Sequence, residues 1–457
     1  MTIEAAVDAR PPATPVNSLL TAPILPTLLK LTLPNSIAML GTALVAVAET
    51  SYIGRLGVEP LAGIALVFPF VMLTQMMSAG AMGGGVSSAV SRALGAGDRD
   101  RAATLALHAA IIGAGAGLFF TVMMLAFGRA FYFLLGGRGA VLEQAMHYSQ
   151  VLFSGAVSIW LVNTLSSVVR GTGDMRAPSA VLIGVATIQV AVGGTLGLGL
   201  FGVASYGMRG VAAGQLAAFT LGAMFLIWYL LSGRSRLKLD LKSFAFQRDM
   251  FFDILKVGAI SCLSPLQSVL TILIFTKILA SYGTVTLAGY GMGSRLEFLL
   301  IPISFAFGVA SVPMVGMAVG AGLVSRARKV AWTAGIAAGL TVGLLGLVVA
   351  VRPGLWVSLF TADPGVTAAA TSYFAFAGPA FGFFGLGTCL YFSSQGAAKM
   401  VGPVLAGTLR LVLVALGGWW LVSSGAPAWT LFALVGAAMT AFGLATALSV
   451  RLTRWGK

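Results

Sequence analysis

The chain of 457 residues consists of long apolar runs separated by short polar segments. A helix needs about 20 apolar residues to cross the hydrocarbon core of a bilayer. Runs of that length predict transmembrane helices near residues 27–54, 61–88, 102–128, 144–168, 177–201, 209–232, 251–281, 287–315, 328–350, 366–393, 402–424 and 427–450. The period-two alternation of a membrane β-barrel is missing. The pattern therefore predicts an all-α polytopic membrane protein with about twelve transmembrane helices.

Composition and charge add the topology. With 58% hydrophobic and 9% charged residues, the chain lacks the surface of a soluble protein. If the N-terminus is cytoplasmic, most Lys and Arg residues fall in internal loops, which by the positive-inside rule predicts that both termini are cytoplasmic. The high pI of about 10.3 is then explained by loops beside anionic lipid, and we expect no nucleic-acid partner. We expect a multi-pass protein of the cytoplasmic (inner) membrane of a bacterium.

The second half of the chain repeats the pattern of the first. Three pairs of segments match in the same order along the two halves: 57–66 with 283–292, 93–102 with 318–327, and 170–178 with 395–403. The spacing between partners agrees in all three pairs to within a single position, and is here called the repeat offset. A duplication with six helices per half gives two parallel pseudosymmetric lobes, typical of transporters whose site lies between the repeats.

The duplication divides the chain into five parts. We expect a cytoplasmic N-terminal segment, an N-lobe, a cytoplasmic linker, a C-lobe and a cytoplasmic tail, at residues 1–26, 27–232, 233–250, 251–450 and 451–457. An interfacial amphipathic helix carrying Phe244 and Phe246 is the alternative for the linker.

Several motifs resemble one transporter family. They are an acid shortly before G-R-L-G (Glu49 to Gly57), LAG at 61–63, LGAGD at 94–98, RGTGDMRAP at 170–178, SRLE at 294–297 and VGAG at 319–322. With them the chain resembles the multidrug and toxic compound extrusion (MATE) family of the multidrug/oligosaccharidyl-lipid/polysaccharide flippase superfamily. The resemblance implies a two-lobed antiporter that exports organic, often cationic, compounds against a proton or sodium gradient.

Glu49 is the leading functional candidate because it lies inside the first apolar run. An acid near the bilayer interior is costly, and therefore indicates a functional site. Apolar surroundings disfavour the charged carboxylate, so Glu49 could exchange a proton in competition with a cationic substrate. A static acid that braces helices is the alternative. The resemblance places aspartate at this position in most relatives.

Other polar residues of the N-lobe spans are candidate cavity or substrate residues: Asn35, Thr42, Gln75, Asn163 and Gln189. Each could instead be a simple interhelical hydrogen-bonding group. By the resemblance, Gln189 stands where many relatives have asparagine, and Gly193 where they have aspartate. Hard-cation sites favour several oxygen ligands, so the missing acid puts a sodium site in doubt.

The C-lobe offers a second set of candidates. Glu297 in the eighth span is a possible second substrate or proton site, with pairing to Arg295, Lys277 or Arg410 as the alternative. Gln267 stands where several sodium-coupled relatives carry glutamate, which also points away from sodium. Arg295 is a further cavity candidate, and Tyr290 and Tyr373 could hold planar cations by cation–π contact or simply pack in the core.

The function predicted from the sequence is export of a small, cationic or lipophilic organic compound, driven by a proton gradient and the rocking of two lobes. We expect a monomer in the bilayer, with no cofactor and no resident metal. A sodium-coupled antiporter and a lipid-linked saccharide flippase are the alternatives. An intramembrane enzyme is disfavoured because the only histidines, His108 and His147, lie in separate helices without an acid at ligand spacing.

Overall fold

The structure is a computed structural model that describes residues 15–237, 239 and 245–456. In this part of the chain, eleven apolar helices are each long enough to cross a membrane, and a twelfth span is a helix pair bent by 52°. Numbered in chain order, spans 1 to 12 are Ile24–Leu56, Val58–Gly95, Arg99–Leu134, Gly139–Ser154 with Ala156–Gly171, Arg176–Leu198, Gly207–Leu231, Arg248–Ala280, Thr284–Gly320, Val324–Val351, Pro364–Gly396, Val401–Ser423 and Ala428–Leu452. Each coincides with a predicted run, so the all-α polytopic fold is confirmed.

Besides the bent span 4, three spans are not continuous α-helices. Span 2 is α-helical at Val58–Gln75 and Gly83–Gly95, with a π-helical segment, Met76–Met82, between them. Span 7 consists of Arg248–Ser261 and Leu263–Ala280, and span 11 of Val401–Val412, a π-helical segment Leu413–Gly417, and Gly418–Ser423. Short helices outside the spans are Pro15–Thr21, Gly354–Val357 and a 3₁₀ turn, Leu200–Gly202. Since π-helical turns are often found at functional sites, the segment in span 2 marks a region of interest.

The repeat is visible in the helix packing. A Cβ atom on Gly63 would lie 2.9 Å from the backbone nitrogen of Ala145, and one on Gly289 would lie 2.8 Å from that of Ala370. Gly289 and Ala370 follow Gly63 and Ala145 by the repeat offset. Small residues let membrane helices approach closely, so span 2 packs on span 4 in the same way that span 8 packs on span 10.

The first and the last described segments of the chain lie at one end of the bundle, here called the inner side. Arg326, near the start of span 9, donates hydrogen bonds of 3.0 and 2.6 Å to the carbonyl oxygens of Leu19 and Ala22. Arg328 donates one of 2.6 Å to the carbonyl oxygen of Thr453. The first and the last described segments therefore both meet the start of span 9.

The lobes contact each other through spans 2 and 8 at the inner side. A Cβ atom on Gly95 would lie 2.1 Å from the carbonyl oxygen of Met317, and one on Gly320 would lie 2.0 Å from that of Arg92. Gly320 is the repeat partner of Gly95, and Met317 is that of Arg92. The two contacts are thus mutual, as in an isologous interface, and the pseudo-twofold axis passes between these helices.

Polar contacts across the lobes surround this glycine crossing. Ser88 donates a hydrogen bond of 3.1 Å to the carbonyl oxygen of Gly396, and Gln395 Nε2 donates one of 3.1 Å to that of Gly80. Asp253 of span 7 accepts from Arg92 at 2.7 Å and from Arg101 at 3.4 Å. These three charged residues, here called the inner latch, hold span 7 of the C-lobe against spans 2 and 3 of the N-lobe.

The linker also docks on the N-lobe. The backbone N–H of Gln247 donates to His108 Nε2 at 2.9 Å, while His108 Nδ1 lies 2.9 Å from the carbonyl oxygen of Thr104. Phe246 packs beside the His108 ring at 5.2 Å between centroids. Phe244, the other half of the interfacial-helix alternative, lies outside the described residues.

Candidate functional site

Glu49 lies on span 1, half-buried between three neighbouring helices of the N-lobe. Its Oε1 accepts a hydrogen bond of 2.7 Å from the hydroxyl of Tyr148 on span 4, and its Oε2 accepts one of 3.1 Å from Gln189 Nε2 on span 5. Tyr148 also contacts Gln215 on span 6. The acid is therefore fixed by side chains from spans 4 and 5, and linked through Tyr148 to span 6.

The Tyr148 hydroxyl lies between two oxygens, at 2.7 Å from Glu49 Oε1 and 2.5 Å from Gln215 Oε1. A phenol has one proton to donate, so one neighbour must donate to it. Either Glu49 is protonated and donates to Tyr148, which donates to Gln215, or Glu49 is ionised and the Gln215 amide turns to present its NH₂ group. The network thus satisfies both charge states of Glu49 by rotation of a hydroxyl and an amide.

Tyr52 occupies the space left by the small residue at position 193. A Cβ atom on Gly193 would lie 3.2 Å from the Tyr52 hydroxyl, and this hydroxyl is buried without a hydrogen-bond partner in the described structure. Tyr52 lies one helical turn after Glu49 on span 1. A phenol therefore fills the place where the resemblance implies an aspartate.

The remaining N-lobe candidates are not hydrogen-bonded to Glu49 in the described structure. Asn163 is buried and donates 2.8 Å hydrogen bonds to Gln75 Oε1 and to the hydroxyl of Ser78, inside the π-helical segment of span 2. Among the described residues, the side chains of Asn35 and Thr42 form hydrogen bonds only within their own helix, to the sulfur and the carbonyl oxygen of Met39. Of the five predicted residues, Gln189 is the one that the structure joins to Glu49.

A second carboxyl site lies in the C-lobe. Glu297 on span 8 accepts a hydrogen bond from the hydroxyl of Tyr373 on span 10. The Tyr373 ring makes an edge contact of 5.6 Å with Tyr290. The guanidinium of Arg410, which lies 5.0 Å from the Phe384 ring, is within electrostatic range of Glu297. Glu297 therefore has a cationic neighbour, whereas the hydrogen-bond partners of Glu49 are neutral.

Two other C-lobe candidates lie outside this cluster. Arg295 is exposed and stacks over the Phe360 ring at 5.1 Å. Gln267 donates to the Thr408 hydroxyl at 2.9 Å, and its Oε1 is buried without a partner in the described structure. Among the described residues of the whole chain, no group of three or more His, Cys, Asp or Glu side chains is arranged to hold a metal ion.

The tyrosines of the two sites are repeat partners. Tyr373 follows Tyr148 by the repeat offset, and both are almost completely buried. Their acids are not equivalent, since Glu49 comes from the first helix of its lobe and Glu297 from the second. Phe275, the repeat partner of Glu49, packs on Tyr290 at 5.1 Å between ring centroids.

Sequence reasoning missed Tyr148 and Gln215. Tyr373 was a candidate, and applying the repeat offset to it would have pointed to Tyr148. For Gln215 the signal was weaker: a single amide in the apolar sixth span, a residue type that usually forms interhelical hydrogen bonds.

Comparison with known proteins agrees with this architecture. The FAD transporter of Shewanella oneidensis is 28% identical over 323 residues, which cover 68% of this chain and 69% of the relative. The probable multidrug resistance protein NorM of Thermotoga maritima is 24% identical over 338 residues, which cover 74% of this chain and 72% of that protein.

Solved structures share the fold over nearly the whole chain. A MOP superfamily transporter from Pyrococcus furiosus superposes with a TM-score of 0.88 at 21% identity, covering 96% of this chain and 98% of that one. An outward-facing multidrug resistance MATE transporter gives a TM-score of 0.85 at 21% identity, covering 96% of this chain and 97% of that one.

Residues 34–195 and 261–420 both match the MatE family. Since these segments include most of both lobes, the chain belongs to the MatE family of membrane transporters, as the motifs predicted.

Proposed function

We propose that this chain is a proton-coupled exporter of organic cations in a bacterial inner membrane, working as a monomer by rocking of its two lobes. The observation that carries the proposal is the position of Glu49, which is hydrogen-bonded to Tyr148 and Gln189 and has no cationic partner in the described structure. An ionised carboxylate in such surroundings is costly unless a cation joins it. A proton or a cationic substrate would each remove that cost, and the two therefore compete.

The Tyr148 and Gln215 side chains make this competition possible without refolding the site. When Glu49 is protonated, the chain of donors runs from Glu49 through Tyr148 to Gln215; when it is ionised, the direction reverses. Proton uptake from the outer side would then release the substrate, and proton loss at the inner side would prepare Glu49 for the next one.

We assign Glu297 a different role. Because Arg410 lies within electrostatic range, the pair is close to neutral as a unit and gains less from taking up a proton. Glu297, with the Tyr290 and Tyr373 rings beside it, would contact the substrate rather than carry the coupling proton. Cation–π contact with such rings suits a lipophilic cation.

Two alternatives receive less support. Sodium coupling would need more oxygen ligands than the N-lobe offers, since Tyr52 fills the space beside Gly193. A diphosphate substrate, such as that of the Shewanella relative named for FAD or a lipid-linked saccharide, would need a cationic wall, yet the charge of Arg410 is already offset by Glu297 within electrostatic range.

Reconstituted proteoliposomes with an imposed pH gradient test the proposal. Efflux of a fluorescent lipophilic cation should be lost in Glu49→Gln and retained in Glu49→Asp. Glu143→Gln is the matched control, because this acid is exposed and pairs with Arg129 at the surface. Undiminished proton-driven efflux by folded Glu49→Gln would refute the role of Glu49, and efflux that follows a sodium gradient alone would refute proton coupling.

A further inference from the structure

The π-helical segment of span 2 leaves one backbone carbonyl oxygen without a donor from its own helix. The N–H of Gly83 bonds to the carbonyl oxygen of Ser78, five residues back. Farther along the α-helix Gly83–Gly95, each N–H bonds four residues back. Where consecutive N–H groups change from the fifth to the fourth preceding carbonyl, one carbonyl oxygen is passed over. That oxygen lies between Ser78 and Gly83, inside a membrane span.

The side chain of Gln395, on span 10 of the C-lobe, supplies the missing donor. Its Nε2 donates hydrogen bonds of 3.1 Å to the carbonyl oxygen of Gly80 and 3.4 Å to that of Ala81. Gln395 is completely buried, and its Oε1 has no hydrogen-bond partner in the described structure. A Cβ atom on Gly84 would overlap this Oε1. The glycine therefore admits the amide to the backbone of span 2, where only its nitrogen is used.

The repeat provides an internal comparison. The partner of Gln395 by the repeat offset is Arg170, whose Nε donates within its own helix, to the carbonyl oxygen of Ser166 at 3.4 Å. The stretch of span 8 that corresponds to the π-helical segment belongs to the continuous α-helix Thr284–Gly320. The span that receives an amide from the opposite lobe is thus π-helical at this point, and its counterpart is α-helical.

We propose that Gln395 holds span 2 in its π-helical form while the lobes are in contact at the inner side, and that the segment rewinds to an α-helix when span 10 withdraws. A carbonyl oxygen without a donor is costly inside a membrane. Rewinding gives each carbonyl oxygen of the segment the N–H four residues on. The segment is therefore a switch with two hydrogen-bonded states, and the docking of the C-lobe selects between them. This switch does not depend on which ion or substrate is carried.

Rewinding also reaches the polar residues of span 4. Asn163 donates hydrogen bonds of 2.8 Å to Gln75 and Ser78. Ser167, one turn farther along span 4, lies so close to Gly83 that a Cβ atom there would overlap its hydroxyl. Rewinding shifts Ser78 by one position relative to Gly83 in the hydrogen-bonded turn, so span 4 cannot keep both contacts. Separation of the lobes at the inner side therefore changes the surroundings of Asn163.

Cryo-electron microscopy of the purified full-length protein, with a rigid antibody fragment bound on the outer side, tests the switch. Gln395→Met keeps the length of the side chain but cannot donate a hydrogen bond. In particles of this variant with the lobes in contact, Met76–Met82 should be α-helical, and the N–H of Gly83 should bond to Ala79 instead of Ser78. If Gln395→Met does not fold, Gly95→Ala decides the question, because it keeps Gln395 but forces the lobes apart at the glycine crossing. Its particles with separated lobes should show the same α-helix.

Ser88→Ala is the matched control. It also removes a hydrogen bond between the lobes, to the carbonyl oxygen of Gly396, but none to the π-helical segment. Its particles with the lobes in contact should therefore keep the bond from Gly83 to Ser78. A π-helical span 2 in Gln395→Met, or in Gly95→Ala particles with separated lobes, would overturn the proposal. So would an α-helical span 2 in Ser88→Ala particles whose lobes are in contact.

Discussion

The glycine crossing between spans 2 and 8 allows a quantitative test of how the lobes are held together. Gly95→Ala would place a Cβ atom 2.1 Å from the carbonyl oxygen of Met317. Real Cβ atoms come no closer than 3.0 Å to such a backbone atom and usually stay beyond 3.4 Å. The helices must therefore separate by about 0.9–1.3 Å, the difference between those distances and 2.1 Å.

Inserting a methyl group into a well-packed contact costs about 1–3 kcal/mol. This cost applies only while the lobes touch at the inner side, so it shifts the equilibrium toward the state in which they are apart. Since 1.4 kcal/mol changes an equilibrium tenfold, the fraction with separated inner ends should increase relative to the closed fraction by roughly 5- to 150-fold.

Electron–electron distance measurements between spin labels would follow this shift. Suitable labels are Asp100→Cys on span 3 and Leu323→Cys before span 9, because both positions are exposed at the inner side. The native Cys262 and Cys389 are first replaced. Gly95→Ala should enlarge the population with the longer distance.

The control for that measurement is Gly115→Ala, in which the same methyl group meets no atom within 4 Å. Its distance distribution should match that of the parent protein. If folded Gly95→Ala kept the parent distribution, or if Gly115→Ala produced the same change, the crossing would not be the contact that limits inner opening.

Further predictions concern the inner latch and the two buried phenols. Asp253→Asn leaves Arg92 without its ion pair, a loss of about 1 kcal/mol. The fraction of molecules with separated inner ends should therefore increase about fivefold in the same distance measurement. Asp249→Asn, on the same helix but outside the latch, is the control. Tyr148→Phe removes both hydrogen bonds to the buried hydroxyl and should lower the Tm while impairing proton-driven efflux. Tyr52→Phe removes a buried hydroxyl without a partner and should leave the Tm equal or higher; a Tm that falls as much as in Tyr148→Phe would contradict this reasoning.

The spans and their number followed from hydropathy because each helix must satisfy its own backbone in the bilayer. The length of an apolar run therefore predicts a helix almost independently of its neighbours. Glu49 was found by the same reasoning, since its cost depends on its own span. The partner Tyr148 was not found, because an aromatic in an apolar run is the ordinary case and its hydroxyl acquires meaning only when spans 1 and 4 meet.

The inner contacts were beyond sequence reasoning for a related reason. Arg92 and Arg170 were interpreted as topological signals, as their positions near predicted loops suggested. The structure gives them separate surroundings: Arg92 pairs with Asp253, while Arg170 is buried without an acid among the described ion pairs. Whether such an arginine finds an acid depends on which helix of the other lobe lies opposite it. The repeat pattern in the sequence does not specify how the two lobes dock, so this could not be predicted.

The repeat partnership of Tyr148 and Tyr373 bears on how such a transporter evolves. A duplication copies a residue with its surroundings, so both lobes began with the same side chains around this tyrosine. Today the acids beside it, Glu49 and Glu297, stand on non-equivalent helices, and at least one change at an acid position therefore followed the duplication. What the two centres share is an acid within reach of the phenol, supplied by the first helix in one lobe and by the second in the other. In this chain, the equivalence of the two centres is therefore visible in the neutral tyrosine and not in the charged residue.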